Sequence, residues 1–184
     1  MKIMTTTVFM LFICTFLVGQ PRTLPRTIGP FDFDAAISDF PHAVDIHKIN
    51  DCFKDAEGIV CYKGKWSLSS EFGKDYREVY YSSYKGEAYT MNVVFSRILK
   101  NTDEMTEFVL VATQKYGQIS QLDDKEESMY VTWTDDFVLI TLGITYIESF
   151  GGFLASIVII NLNVEKKIKR DGLERMTDSL RGVI

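Results

Sequence analysis

The last third of the chain restricts the fold more than any other part. Met129, Val131 and Trp133 alternate with Tyr130 and Thr132, and Asp135-Asp136 supplies turn residues. "FVLITLGITYI" then sets Val138, Ile140, Leu142, Ile144 and Tyr146 on one side. After Gly151-Gly152, "FLASIVIINLNV" sets Leu154, Val158, Ile160, Leu162 and Val164 on one face. Apolar residues at alternate positions, interrupted only by short turns, predict three consecutive antiparallel strands. A rival reading takes Phe137 to Leu162 as a membrane-spanning segment, because Glu148 is its single charge and the basic "EKKIKR" follows. An ionisable residue at such a depth costs about 2.5–3.5 kcal/mol on insertion. That cost, the paired glycines and the density of Ile, Val and Thr favour strands.

An earlier segment shows the same period. Val79, Tyr81 and Ser83 alternate with Tyr80, Ser82 and Tyr84; beyond Lys85-Gly86-Glu87, Tyr89, Met91, Val93 and Phe95 alternate with Thr90, Asn92, Val94 and Ser96. This predicts a hairpin with one buried and one more polar face. Between the two strand regions lies the best-marked helix. Asn101 is its cap and Glu104 stands three residues on. Met105, Phe108, Val109, Ala112 and Tyr116 form one stripe, and Gly117 is the stop. A one-sided helix needs a sheet to cover. The expected fold is therefore α+β: a curved antiparallel sheet of about five strands, one main helix on one face, in the order β-β-α-β-β-β.

The first nineteen residues carry one cation, Lys2, then an apolar run from Val8 to Val18 closed by Gly19. That pattern predicts a secretory signal peptide cleaved near Gly19, and the run is shorter than the ~18–20 residues of a spanning helix. Cys14 would leave with it. Residues 20–30, with Pro21, Pro25 and Pro30, read as an extended lead-in. Residues 31–164 read as one domain, with a short extended piece at Phe31 and Phe33 and a helical turn at Ala35–Phe40. Residues 165–184 read as a polar tail or short helix. Export leaves two cysteines, Cys52 and Cys61, in an oxidising compartment. Their separation fits neither a zinc site nor a C-x-x-C redox pair, so a structural disulfide is expected, worth roughly 2–3 kcal/mol.

The chemistry is sparse. His42 and His47, near Asp39 and Asp45, are the only histidines, and no second ligand cluster supports them as a metal site. Asp32 with Asp34, and Asp123, Asp124, Glu126 and Glu127, read as solvated acids; a hydrolase would need two of them facing across a cleft. No phosphate loop, dinucleotide fingerprint, nucleophile elbow or zinc-protease motif occurs, so neither catalytic residues nor a cofactor are expected. A net charge of −5 with no long basic stripe argues against nucleic acid. Lys166, Lys167, Lys169 and Arg170 could touch an anionic membrane, but they read more simply as a solvated end.

The excess that stands out is tyrosine, nine in all, with Tyr80 and Tyr84 expected on the hairpin's outer face. Exposed tyrosine on a sheet suits protein recognition. The expectation is an exported, non-enzymatic module that contacts another protein, in the manner of an inhibitor or immunity protein, without spanning the membrane. The layout resembles that of small secreted inhibitor and assembly modules, in architecture alone. The alternatives are a carrier holding a small apolar ligand in the hollow of the sheet and, more weakly, a hydrolase with a carboxylate pair.

Overall fold

The computed structural model describes residues 23–28, 31–34, 45–49, 58–65 and 76–181. Two short strands, β1 (Thr27–Ile28) and β2 (Phe31–Asp32), pair with each other. Then come β3 (Asp45–Ile49), β4 (Ile59–Lys65), β5 (Tyr76–Tyr84) and β6 (Glu87–Leu99). Helix α1 (Thr102–Tyr116) leads to β7 (Gln121–Asp124), β8 (Ser128–Thr134) and β9 (Val138–Ile147). A 3-10 turn at Glu148–Phe150 precedes β10 (Gly152–Asn161), and α2 (Leu162–Arg181) follows.

The α+β architecture agrees with the sequence, but its size does not. Among the described residues, strands β3 to β10 form one antiparallel sheet in the order β3-β4-β5-β6-β10-β9-β8-β7, eight strands rather than about five, with two helices rather than one main helix. The order differs from the expected β-β-α-β-β-β: β3 and β4 precede the β5-β6 hairpin, and β7, from the stretch that carries Asp123 and Asp124, comes between α1 and β8. The chain leaves β6, crosses with α1 to the far edge, and returns strand by strand until β10 closes against β6. The segment weighed as a membrane span is β9, a turn and β10. Among the described residues no helix is long and apolar enough to cross a membrane.

Local chemistry accounts for the elements that were legible. Lys85 and Gly86 both have positive φ, 51° and 86°, the two-residue turn whose twist suits a hairpin. Asn101 Oδ1 accepts the Glu104 N–H at 3.0 Å, while Glu104 Oε2 accepts the Lys100 N–H. Gly117 (φ 86°) ends α1 by donating its N–H to the Thr113 carbonyl. The Asp135 turn is tighter than its residue types imply: one carboxylate oxygen accepts the N–H groups of Phe137 and Val138, and the other that of Leu24. Burial alone would raise the Asp135 pKa, but these three backbone donors and Arg26 outweigh it and hold it low.

One face of the sheet, beneath α1, is the core. A single row across it reads Trp133, Ile140, Ile159, Met91 and Tyr81, and all five are buried. Phe108, Val109, Ala112 and Tyr116 of α1 seal it. Phe108 meets Phe95 edge-on at 4.9 Å, and Trp133 donates its Nε1–H to the Gly117 carbonyl. Burial raises the Tyr81 hydroxyl pKa to about 12, with Tyr62 and Asp34 adding to the shift. Each large side chain buried here contributes about 1.5–3 kcal/mol. Leu24, from the stretch read as a lead-in, also reaches the core at 8% exposed, as does Phe33 of the domain, which is fully buried. Two further sequence readings change at the C-terminus. The strand ends at Asn161, so Leu162 and Val164 belong to α2, and the stretch read as a polar tail or short helix lies mostly in this helix of 20 residues.

Candidate interaction face

The opposite face of the same sheet is built from different residues. Register pairs place Thr132, Thr141, Val158, Asn92, Tyr80 and Lys63 in one row across six strands. The next row reads Tyr130, Gly143, Ser156, Val94 and Glu78. The middle-row side chains are all partly exposed, and Tyr130 is 38% exposed. Its ring lies over Gly143, where an added Cβ would approach Tyr130 Cε1 to 3.3 Å. A glycine here lets an aromatic ring cross the neighbouring strand.

Polar groups on this face are partly tied to one another. Thr132 and Thr141 bring their hydroxyls to 3.3 Å. Glu78 accepts from Lys63 Nζ at 2.9 Å through one oxygen and from the Tyr80 hydroxyl through the other. Lys63 Nζ also stands 5.1 Å from the centre of the Tyr80 ring. These contacts raise the Lys63 pKa, the Glu78 hydrogen bond first and Tyr80 second. Asn92 differs: its Oδ1 is buried and finds no hydrogen-bond donor.

Tyr80 is partly exposed on this face, whereas Tyr84 is covered. Tyr84 keeps the same face by alternation, but it is 3% exposed and donates its hydroxyl to Asp171 of α2. Lys85 Nζ binds the same carboxylate at 2.6 Å, and Lys167 bridges to Glu87. The Lys85 and Tyr84 hydrogen bonds hold the Asp171 pKa at about 2. Helix α2 thus covers the hairpin end of the face, and two of its cations are engaged, Lys167 by Glu87 and Lys169 by Glu165.

The remaining sequence candidates scatter. Asp34 pairs with Arg26 at 2.8 Å, while Asp32 accepts the Asp34 N–H. Asp123 pairs with Lys125 beside the β7 edge, and charges there discourage edge-to-edge pairing. His47 lies on β3, whereas His42, Asp39 and Cys52 fall outside the described residues. Cys61 is buried on β4 and disulfide-bonded. Among the described residues no three His, Cys, Asp or Glu side chains gather as a metal site. Asn92 and Tyr130 escaped the sequence reading because alternation marks a polar face without showing which residues meet across it. No protein-family model, curated protein or solved structure matches the chain.

Proposed function

We propose that the protein is an exported, non-enzymatic module that recognises another protein through the sheet face bearing Tyr80 and Tyr130, stapled by a Cys52–Cys61 disulfide. The composition of that face carries the reading. Two tyrosines flank a field of Thr132, Thr141, Ser156, Asn92, Val94 and Val158. Tyrosine supplies rigid contact area at low entropic cost, and hydroxyl and amide side chains adapt their hydrogen bonds to a partner. The carrier reading has less support, because Phe95, Phe108, Trp133 and Ile157 fill the space between sheet and α1 where an apolar ligand would sit.

Photocrosslinking tests this. A benzophenone amino acid at Tyr80 should yield a covalent polypeptide adduct in the exporting cell, and the same group at exposed Gln114 on α1 should yield none. Equal labelling at both positions, or none at Tyr80, would remove this face from consideration.

A further inference from the structure

Resting on the recognition reading above, we infer that α2 is a releasable cover, latched by charge at Asp171, that withholds the Tyr84 end of the recognition face. Helix α2 follows β10 and contributes nothing to strand pairing, so its departure leaves the hydrogen bonds of the sheet intact. Its start and its middle are held in different ways. At the start, packing and capping fix the helix. Asn161 Oδ1 accepts the Asn163 and Val164 N–H groups, Asn161 Nδ2 donates to the Ala88 carbonyl, and Val164 is fully buried.

Further along the helix the hold on the hairpin is polar. Asp171 accepts the Tyr84 hydroxyl at 2.8 Å and Lys85 Nζ at 2.6 Å, and Lys167 meets Glu87 at 2.6 Å. The Lys85, Glu87 and Lys167 side chains are 63%, 54% and 43% exposed. Ion pairs this open to water contribute little and weaken further in salt. Gly172 follows Asp171 inside the helix, with open space where a Cβ would stand, so close packing does not account for it. A glycine there lowers the helix's own stability. Tyr84, by contrast, has a seat apart from α2. Its ring edge lies against Gly58, where an added Cβ would come within 3.1 Å of Tyr84 Cε2, and Lys85 Nζ stands 5.2 Å from the ring centre. When the middle of α2 lifts, the ring keeps that seat and its hydroxyl is released to another acceptor. The face then gains one more tyrosine, already held in place.

The test is hydroxyl-radical footprinting of the full folded chain, read by mass spectrometry at Tyr84 and, as a core reference, at Tyr81, which is 4% exposed. Raising salt to about 1 M, where charges are screened beyond ~3 Å, should increase Tyr84 labelling about threefold or more and leave Tyr81 unchanged. Asp171→Asn, which removes the charge, and Asp171→Ala, which also removes the acceptor, should each reproduce that rise at low salt. Tyr84 labelling that stays at its starting level in high salt and in both variants overturns the latch. So does a Tyr81 that opens in parallel, because α2 would then be part of the core fold. A normal Tyr80 crosslink beside a Tyr84 that stays protected leaves the recognition face standing and removes this inference alone. A Tyr84 that opens as expected beside an absent Tyr80 crosslink removes the recognition face, and with it the covering role of α2.

Discussion

The sheet has two faces made by the same strands, and they obey different rules. In β10, Ala155, Ile157 and Ile159 are buried, while Leu154, Ser156, Val158 and Ile160 alternate with them and stay partly exposed. On the α1 side, large apolar groups such as Trp133, Phe95, Phe108 and Ile157 are buried against one another, with Ala112 and Ala155 between them. On the other side, apolar residues are interspersed with hydroxyls and an unsatisfied amide. The first face holds the protein together, and the second retains features that cost stability. Buried polar groups without partners are uncommon in native structures; Asn92 Oδ1 is one on the outer face, and Thr113 Oγ1 is another on α1.

Mutations can break or sharpen this contrast. The largest effect belongs to the core face: Trp133→Ala should cost about 3–5 kcal/mol by denaturant unfolding. Its neighbour in sequence but not in face, Thr132→Ala, should stay within roughly 0.5 kcal/mol. If the two costs were similar, the division of labour between faces would be wrong.

Next comes the turn that ties the N-terminal segment to the sheet. Asp135→Ala removes a carboxylate serving three backbone donors and should cost about 1–3 kcal/mol near neutral pH. The Asp135 pKa is lowered in the fold, so its contribution is present above the unfolded value of about 4 and is lost as pH falls through the depressed folded value. The gap between wild type and variant should therefore close on acidification, as acid-unfolding curves would report. A gap independent of pH would mean that Asp135 acts through packing.

The smallest effect has the opposite sign. Asn92→Val should raise stability by about 1 kcal/mol, because it removes an acceptor without a donor and adds a strand-favouring side chain. A lower thermal midpoint in this variant would show that the amide is satisfied within the fold and serves structure.

The parts of this protein legible in the sequence share one property: their determinants lie within a few residues of each other. The cap at Asn101, the stop at Gly117, the Lys85-Gly86 turn and the alternation of Val138, Ile140, Leu142 and Ile144 were all readable, and each forms where expected. Strand β7 was not, because Gln121–Asp124 has no apolar alternation and pairs only because β8 offers it an edge. Tyr84 shows the limit most clearly. Its alternation was read correctly, yet α2 returns 87 residues later to bury it through Asp171.

By itself, then, the sequence determined the kind of object: an acidic chain of alternating strands and one capped helix, with a face to bury and a face to spare. Local turn chemistry and hydrophobic period fix those features before any long-range contact forms. Only the tertiary structure decided how many strands join the sheet, that β10 inserts between β6 and β9, and which tyrosine remains accessible. It also set Asn92 beside Tyr80 and Glu78, because register between strands follows from the packing of whole faces, which no short stretch encodes.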